Sequence, residues 1–410
     1  MDSRPPTPET RNRVSPVWII FAVIHIGFLA RLLPFITSGG VLSDIRLYRE
    51  WAYQALNDGV WQGIDAAWVY PVGALVPMLF ATVLGPQLYQ LTWFLLFAVL
   101  NAAGVAALIR TPSRQRFLAA YWWLAATALL GPVAVGRLDG LTAPMVIVGI
   151  LLLGTKPVAA SLILSAATWV KVWPAAVLLA AVVTLRSRVR IVLAGAALSI
   201  GIAAVVVLFG DLRNLTSFLG AQGARGMQLE APLSTPGVWQ AITGSSGAVI
   251  FEDDEINTME VRGALSAQVA ALMSPLLAVA LVLTAALVAF ALRRGAPPER
   301  VLAAGSLALV STLVVFNKVG SPQFMLWIAA VIAAGMVLDT HANWRFPAIA
   351  MLVTAGLTTL VYPIFYDALR FDLSPAIAAV LTVRNLLVIC IFGWSLVQLG
   401  RLSRHSGSAR

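Results

Sequence analysis

The chain is poor in charge, in cysteine and in histidine. Of its 410 residues only 11% are Asp, Glu, Lys or Arg, against about 25% in an ordinary soluble domain. That shortage excludes a disordered polyelectrolyte and a conventional water-soluble enzyme. The single cysteine, Cys390, has no partner for an internal disulfide and leaves no thiolate metal cluster. The three histidines, His25, His341 and His405, lie far apart and none stands in a metal-binding spacing. A P-loop and a Rossmann glycine fingerprint are missing too, which makes a soluble nucleotide or nucleotide-sugar a poor substrate candidate.

What the chain has in excess is apolar surface. The hydrophobic set makes up 60% of the residues, and the mean hydropathy is +0.87. Apolar runs of about 20 residues recur along the whole length, so the bilayer is the solvent for most of the protein. Spans are expected at 17–36, 88–109, 117–134, 140–154, 157–170, 172–186, 190–209, 266–293, 300–316, 322–338, 344–362 and 376–400. Helix is the expected state, because hydrocarbon offers an open segment's backbone no other partner. The fold class is therefore an all-α polytopic membrane protein of about 12 transmembrane helices. One membrane-embedded domain, 17–400, is expected between a disordered proline-rich tail at 1–16 and a short tail at 401–410. No small-residue cleavage site follows the first span, so it is expected to be retained.

The net charge of +10 reflects orientation. With the N-terminus inside, the inner ends of the spans collect 17 basic residues against 4 acidic ones, including Arg110, Arg114 and Arg116 and the triplet Arg186, Arg188 and Arg190. The other end has 11 basic and 14 acidic residues. This is the positive-inside pattern. It assigns both termini to the cytoplasm of a multi-pass plasma-membrane (cell inner membrane) protein and argues against nucleic acid as a partner. Treating the short apolar piece 71–84 as a full span would flip both arginine clusters outward. It is therefore expected to dip in from the outer side and return at Gly85-Pro86.

Two outer loops are long, 37–87 and 210–265. In the first, Tyr48, Trp51, Ala52, Ala55 and Leu56 recur at helical spacing between charged residues, which predicts an amphipathic helix on the membrane surface with Ser43 or Asp44 as its N-cap. The second is polar and glycine-rich, and its acidic run Glu252, Asp253, Asp254, Glu255 is expected to be a solvated loop. Polar groups also stand where spans meet the outer surface: Asp44, Arg137 and Asp139 in GRLDG, Lys171 in WVKVWP, and Lys318 in FNKVGSP. An ionisable group at such depth costs on the order of 2.5–3.5 kcal/mol on translocon scales and reads as functional. The plain alternative is snorkelling of the cations, with Arg137 pairing only with Asp139. Two carboxylates and three cations on one aqueous face suit an anionic ligand, and a phosphate carried on a lipid fits best.

These pieces resemble the integral-membrane glycosyltransferases of the GT-C fold, and among them the actinobacterial family 87, over about residues 17–400. The resemblance is carried by Asp44 in the first outer loop, YPVGALVP at 70–77, GRLDG at 136–140, TWVKVWPA at 168–175 and KVGSPQFMLW at 318–327. Two departures stand out. Val72 occupies the second proline of the family's usual YPP, and Lys318 stands near the place where some members carry an outer-face histidine. The resemblance implies inverting transfer of a sugar from a polyprenyl-phosphate donor to a glycolipid or lipoglycan acceptor on the extracytoplasmic side. Mannose is the first expectation and arabinofuranose the alternative. No cofactor is implied beyond the lipid-linked sugar donor. Asp44 is then the general base, since the attacking hydroxyl must lose a proton and a carboxylate stays ionised at neutral pH. The leaving phosphate needs cations and no general acid, a part open to Arg137, Lys171 and Lys318. Asp139 positions Arg137 or sugar hydroxyls, and Tyr70 joins the substrate-binding set. Trp51, Trp61 and Trp68 stack on sugar rings or belong to the interfacial aromatic belt. A secondary transporter or a lipid-linked-sugar flippase is the reading from another class. No matching halves of the kind transporters show are present.

Overall fold

A computed structural model describes residues 15–223, 225–253 and 258–405. Most of the expected tail 1–16, the end of the tail 401–410, and Asp254 and Glu255 of the acidic run lie outside the described residues. The protein is an all-α polytopic membrane protein. Among the described residues seven helical stretches are long and apolar enough to cross a membrane. They contain α1 (Pro16–Ser38), α4 (Tyr89–Leu108), α10 (Arg188–Phe209), α13 (Ala264–Arg293), α14 (Pro298–Val315), α16 (Arg345–Thr359) and α18 (Pro375–His405). The five remaining expected spans coincide with shorter helices: α5 (Arg114–Leu130), α7 (Leu138–Leu152), α8 (Pro157–Val170), α9 (Pro174–Thr184) and α15 (Met325–Leu338).

Proline starts several of these helices. It occupies the first turn of α1, α8, α9 and α14, where the missing N–H is no loss and its fixed φ suits the helix. Centre and periphery are separated by burial. The apolar stretch of α14 is 78% buried, whereas those of α1 and α10 are 11% buried. Helix α15 is buried along almost its whole length against α5, α7 and α14. The outward faces of α1, α10 and α13 carry exposed Ile19, Val23, Ile26, Val205, Leu208, Val282 and Leu283. Apolar faces of that extent are at home in lipid and not in water.

Between lipid-soluble helices the hydrophobic effect gives little preference for association, so close packing and interhelical hydrogen bonds do more of the work. One such chain crosses three helices. His25 of α1 meets the Asn101 amide of α4 at 3.1 Å, and Asn101 Oδ1 accepts from Trp123 Nε1 of α5 at 2.6 Å. Ser161 of α8 donates to the Ile191 carbonyl of α10 at 2.6 Å.

The segment 71–84 does not cross. It is a single 3-10 turn followed by α3 (Leu75–Phe80), whose six residues rise only about 9 Å, against a hydrocarbon core of about 30 Å. The predicted surface helix is α2 (Ile45–Asp58). Its buried face, Ile45, Tyr48, Ala52 and Ala55, lies on the body of the protein. The second long loop is folded to a greater extent than its composition suggests. It contains α11 (Ser217–Gly223), α12 (Thr235–Ile242) and a three-stranded antiparallel sheet. The strands are β1 (Met227–Gln228), β2 (Val249–Asp253) and β3 (Thr258–Arg262), in the order β1-β3-β2. Glu252 and Asp253 therefore end a strand and do not belong to an open acidic loop. Leu229, Val238, Met259 and Val261 of this unit pack on Val361 just after α16, on Leu369 of α17 (Tyr366–Arg370), and on Ala378 and Leu381 near the start of α18.

Asn101→Ala leaves the Trp123 N–H and one face of His25 without partners inside the bundle. We expect a loss of about 1–2 kcal/mol, read as a lower apparent Tm in detergent. An unchanged Tm would show that the His25–Asn101–Trp123 chain does not hold α1, α4 and α5 together.

Candidate active site

The helices that carry the polar residues end short. Helices α8 and α9 have 14 and 11 residues and rise about 21 and 16 Å. The break between them, at Lys171, interrupts an apolar stretch. Irregular backbone within such a stretch is tolerated where protein surrounds it or water reaches it. Lys171 itself is extended (φ −152°, ψ 129°), and Pro174 restarts the helix.

Asp44 stands at the N-cap position of α2, yet its side chain makes no capping hydrogen bond. The loop before it is pinned by Gln90, whose side-chain oxygen accepts from the Leu42 N–H at 2.7 Å, and by Arg49, which donates to the Gly39 carbonyl at 2.7 Å. With the cap unmade, the Asp44 carboxylate forms an ion pair with Arg137 Nη1. Arg137 is the N-cap residue of α7, after the single-turn helix α6 (Pro132–Val135). Gly140 in the same motif lies against the Ala134 carbonyl, and a Cβ there would collide with it. The glycine is what lets α7 start so close to α6.

Asp139, in the first turn of α7, is 1% exposed, a position where a negative charge also meets the favourable end of the helix dipole. Its Oδ1 accepts from Trp327 Nε1 of α15 at 2.6 Å, and its Oδ2 lies 3.8 Å from Lys171 Nζ. Trp327 is held between Phe324 and the parallel indole of Trp173. The sequence-based pairing of Arg137 with Asp139 is therefore corrected. Arg137 takes the carboxylate across the loop, and Asp139 positions Lys171. The physical reason is that residues 137 and 139 straddle a helix start and point to different sides of it.

Tyr70 presents its ring face to the Lys171 ammonium, 4.4 Å from the ring centroid, a cation–π contact. Its edges meet Trp51 and Trp68, and it lies 6.2 Å from Tyr48. Burial pushes the Tyr48 hydroxyl well above the usual phenol range, and the nearby Tyr70 and Asp139 add to the shift. Trp68 is 5% exposed and packed in this cluster. It does not offer a face for stacking a sugar, which corrects that expectation. Trp51 and Trp61 remain half-buried.

Lys318 is brought to the same end of the bundle by its backbone. Its carbonyl accepts from the Gln228 N–H of β1 at 2.9 Å, and Gln228 Oε1 accepts from Gly320 N–H and Ser321 Oγ. Gly320 sits directly on Ala231, with no room for a Cβ. Beneath this junction lies Arg384 of α18, 1% exposed. It donates to the Glu230 carbonyl at 2.9 Å, to Asn385 Oδ1 at 2.7 Å, to Thr358 Oγ1 at 3.3 Å and to the Gly320 carbonyl at 3.4 Å. The Glu230 carboxyl is buried and hydrogen-bonded by Tyr366 of α17 (Tyr366–Arg370). Burial pushes its pKa up, while Arg384 draws it back. Tyr366 packs edge-on against Tyr362 at 5.0 Å, and the Tyr362 hydroxyl accepts from Arg137 Nη2 at 3.2 Å. A continuous set of contacts thus runs from Asp44 through Arg137, Tyr362, Tyr366 and Glu230 to Arg384.

Trp327, Tyr362, Tyr366, Glu230 and Arg384 were not singled out from the sequence. Arg384 carried a signal, since an arginine inside the apolar run 376–400 is itself a mark of a site or a buried clamp. The others carried none. Among the described residues no three or more His, Cys, Asp or Glu side chains gather as a metal-binding group. The arrangement has one half-exposed carboxylate, Asp44, opposite a guanidinium, and a second carboxylate–ammonium pair behind it. Such a set can bind an anion and take up a proton beside it.

A helical membrane body with a paired-charge site at one end defines the class. The profile of glycosyltransferase family 87 matches residues 68–316, more than half of the chain, and the chain belongs to that family. The match includes Tyr70, Arg137, Asp139 and Lys171 and stops short of Asp44 and Lys318. None of the curated proteins matches the sequence. Among solved structures the chain is similar to the crystal structure of ArnT from Cupriavidus metallidurans in the apo state. That likeness has 14% identity, covers 95% of this chain and 78% of that one, and has a TM-score of 0.43. It carries no residue-level argument.

Two outcomes test the site. Tyr70→Leu removes the ring under Lys171 and is expected to lower the transfer rate roughly 2- to 30-fold, the range of a half-buried cation–π contact. Tyr70→Phe keeps the ring and should stay near wild type. Equal losses in both would assign the effect to the hydroxyl instead. Arg384→Met unlashes the loop unit from α18. Limited proteolysis should then cut within 225–263 faster while circular dichroism still reports a helical body. An unchanged cutting rate would dismiss Arg384 as the clamp.

Proposed function

We propose that this family 87 glycosyltransferase moves a mannosyl residue from a polyprenyl phosphate to a glycolipid or lipoglycan acceptor, with inversion at the anomeric carbon. The observation that carries the reading is the pairing at one end of the bundle: Asp44 with Arg137, and Asp139 with Lys171. A carboxylate base next to cations is what transfer from a phosphate-linked donor requires. The acceptor oxygen forms a bond to the anomeric carbon while the bond to the phosphate oxygen breaks. The hydroxyl proton passes to Asp44, and the departing phosphate keeps the electron pair and is held by positive charge. Arg137 and Lys171 supply that charge, with Lys318 at the edge of the same site. Asp139 and Tyr70 hold Lys171 in place, and Tyr362 holds Arg137.

The donor's lipid anchor and the choice of mannose rest on the motifs in the sequence. The side of the membrane rests on the arginine clusters, which stand at the helix ends opposite the site. On this reading the site opens to the extracytoplasmic side of the plasma membrane and both termini are cytoplasmic. A flippase or transporter would bind the same head group with no need of a base. Family membership and the half-exposed Asp44 favour transfer.

The test is sugar transfer by purified protein in nanodiscs, from radiolabelled polyprenyl-phosphate-mannose to a mixed glycolipid pool. Wild type is expected to label a new glycolipid. Asp44→Asn should lose at least about a hundredfold in rate while still binding the donor. Full activity in Asp44→Asn moves the base to another group, and transfer only from the arabinosyl donor replaces mannose by arabinofuranose. Binding without transfer from either donor would overturn the transferase reading.

A further inference from the structure

Asp44 and Arg137 are assigned different tasks, yet in the empty site they occupy one another. We propose that Arg137 is shared in turn between the base and the donor: it covers the Asp44 carboxylate until the donor phosphate takes it over, so the donor binds first and in doing so uncovers the base. The proposal rests on the reading of the site as one for a phosphate-linked sugar.

Three observations carry it. First, both terminal nitrogens of Arg137 are engaged, Nη1 by Asp44 and Nη2 by the Tyr362 hydroxyl at 3.2 Å. A guanidinium grips phosphate through two parallel N–H groups, and it cannot present that fork while Nη1 is on Asp44. Second, Asp44 is held by little else. It stands at an N-cap and makes no cap hydrogen bond, so one ion pair is all that fixes its carboxylate. Third, this pair lies at the open edge of the site, with side-chain exposures of 12% for Arg137 and 26% for Asp44. A carboxylate that water reaches is rehydrated when its partner leaves, which lowers the cost of parting, so the pair yields to a competing anion. The second pair differs at its carboxylate, while its cation Lys171 is 16% exposed. Asp139 is 1% exposed, is held by Trp327 Nε1 at 2.6 Å and faces Lys171 at 3.8 Å. It is built to stay.

The exchange gives the site an order. With Arg137 on Asp44, the lone pairs that must take the acceptor's proton are engaged, and a hydroxyl entering early finds no base. When the donor phosphate draws the guanidinium to itself, Tyr362 keeps Arg137 near its place and the carboxylate turns to the acceptor. After transfer the proton sits on Asp44 and the phosphate monoester on Arg137. Loss of both restores the pair.

The experiment measures the affinity of undecaprenyl phosphate for the purified protein in nanodiscs, for wild type, Asp44→Asn, Arg137→Gln and the double variant. Removing Asp44's charge frees Arg137, so Asp44→Asn should bind roughly two- to fivefold tighter than wild type. Arg137→Gln should bind more weakly. In the Arg137→Gln background, Asp44→Asn should add nothing, because there is no longer a shared cation to release. Arg137→Lys, which keeps the charge and loses the fork, covers the case in which Arg137→Gln does not fold, and it should show a reduced effect of Asp44→Asn. Tighter binding that persists undiminished without the arginine would reduce the effect to repulsion between Asp44 and phosphate and overturn the exchange. So would an Asp44→Asn affinity equal to or below that of wild type. If wild type binds no undecaprenyl phosphate at all, the donor reading itself falls and takes the proposal with it.

Discussion

A charge near hydrocarbon must find a partner, and the site of this protein is organised by that requirement. Four ionisable groups from three separate stretches of chain lie at one end of the bundle, and each is paired with another: Asp44 with Arg137, Asp139 with Lys171. The pairs tie the first loop to α7 and α7 to the α8–α9 break. Removing Lys171 would leave the buried Asp139 carboxylate without its cation, which is more costly than the pair is favourable. The same requirement explains the aromatic surroundings. Tyr70 offers a π face to Lys171, and Trp327 offers an N–H to the buried Asp139 carboxylate.

The helical body places these groups through its irregularities. Long helices such as α1, α10 and α13 expose apolar faces and set the frame, while α7, α8 and α9 are short and carry the site at their ends. Breaks at Arg137 and Lys171 occur where a spanning helix would otherwise continue, and proline or glycine follows each of them within three residues. The loop unit with β1, β2 and β3 is docked by Arg384, which donates to the Glu230 and Gly320 carbonyls of the junction and is itself held by Thr358 and Asn385. A fully buried guanidinium with satisfied donors is rigid. The loop carrying Glu230 and the loop carrying Lys318 are therefore fixed relative to α18 and, through Tyr366 and Tyr362, relative to Arg137.

The twelve apolar runs were legible because length and hydropathy alone decide whether a segment suits a bilayer. That the polar residues would share one end was legible too, because alternation of spans puts every second connection on the same face. The reading of 71–84 as a dip rested on the arginine clusters, and the structure has a six-residue helix there. The partners were another matter. Arg137 was weighed against Asp139, its near neighbour in sequence, and instead meets Asp44, 93 residues away. Trp68 was weighed as a sugar platform and lies in a packed aromatic cluster. The polar loop at 210–265 hid a small sheet, because short strands of mixed polarity have no strong period.

The sequence by itself determined the solvent, the helical class, the positions of the charges along the chain and, through its motifs, the family to be tested. Only the tertiary structure decided which charge neutralises which, that Arg384 is a clamp, and that Glu230, Tyr362 and Tyr366 belong to the site. The reason is physical. Burial in hydrocarbon depends on composition summed along a segment, which is a property of the sequence. Pairing depends on how helices rotate and where they break relative to one another, and those are settled by packing between segments far apart in the chain.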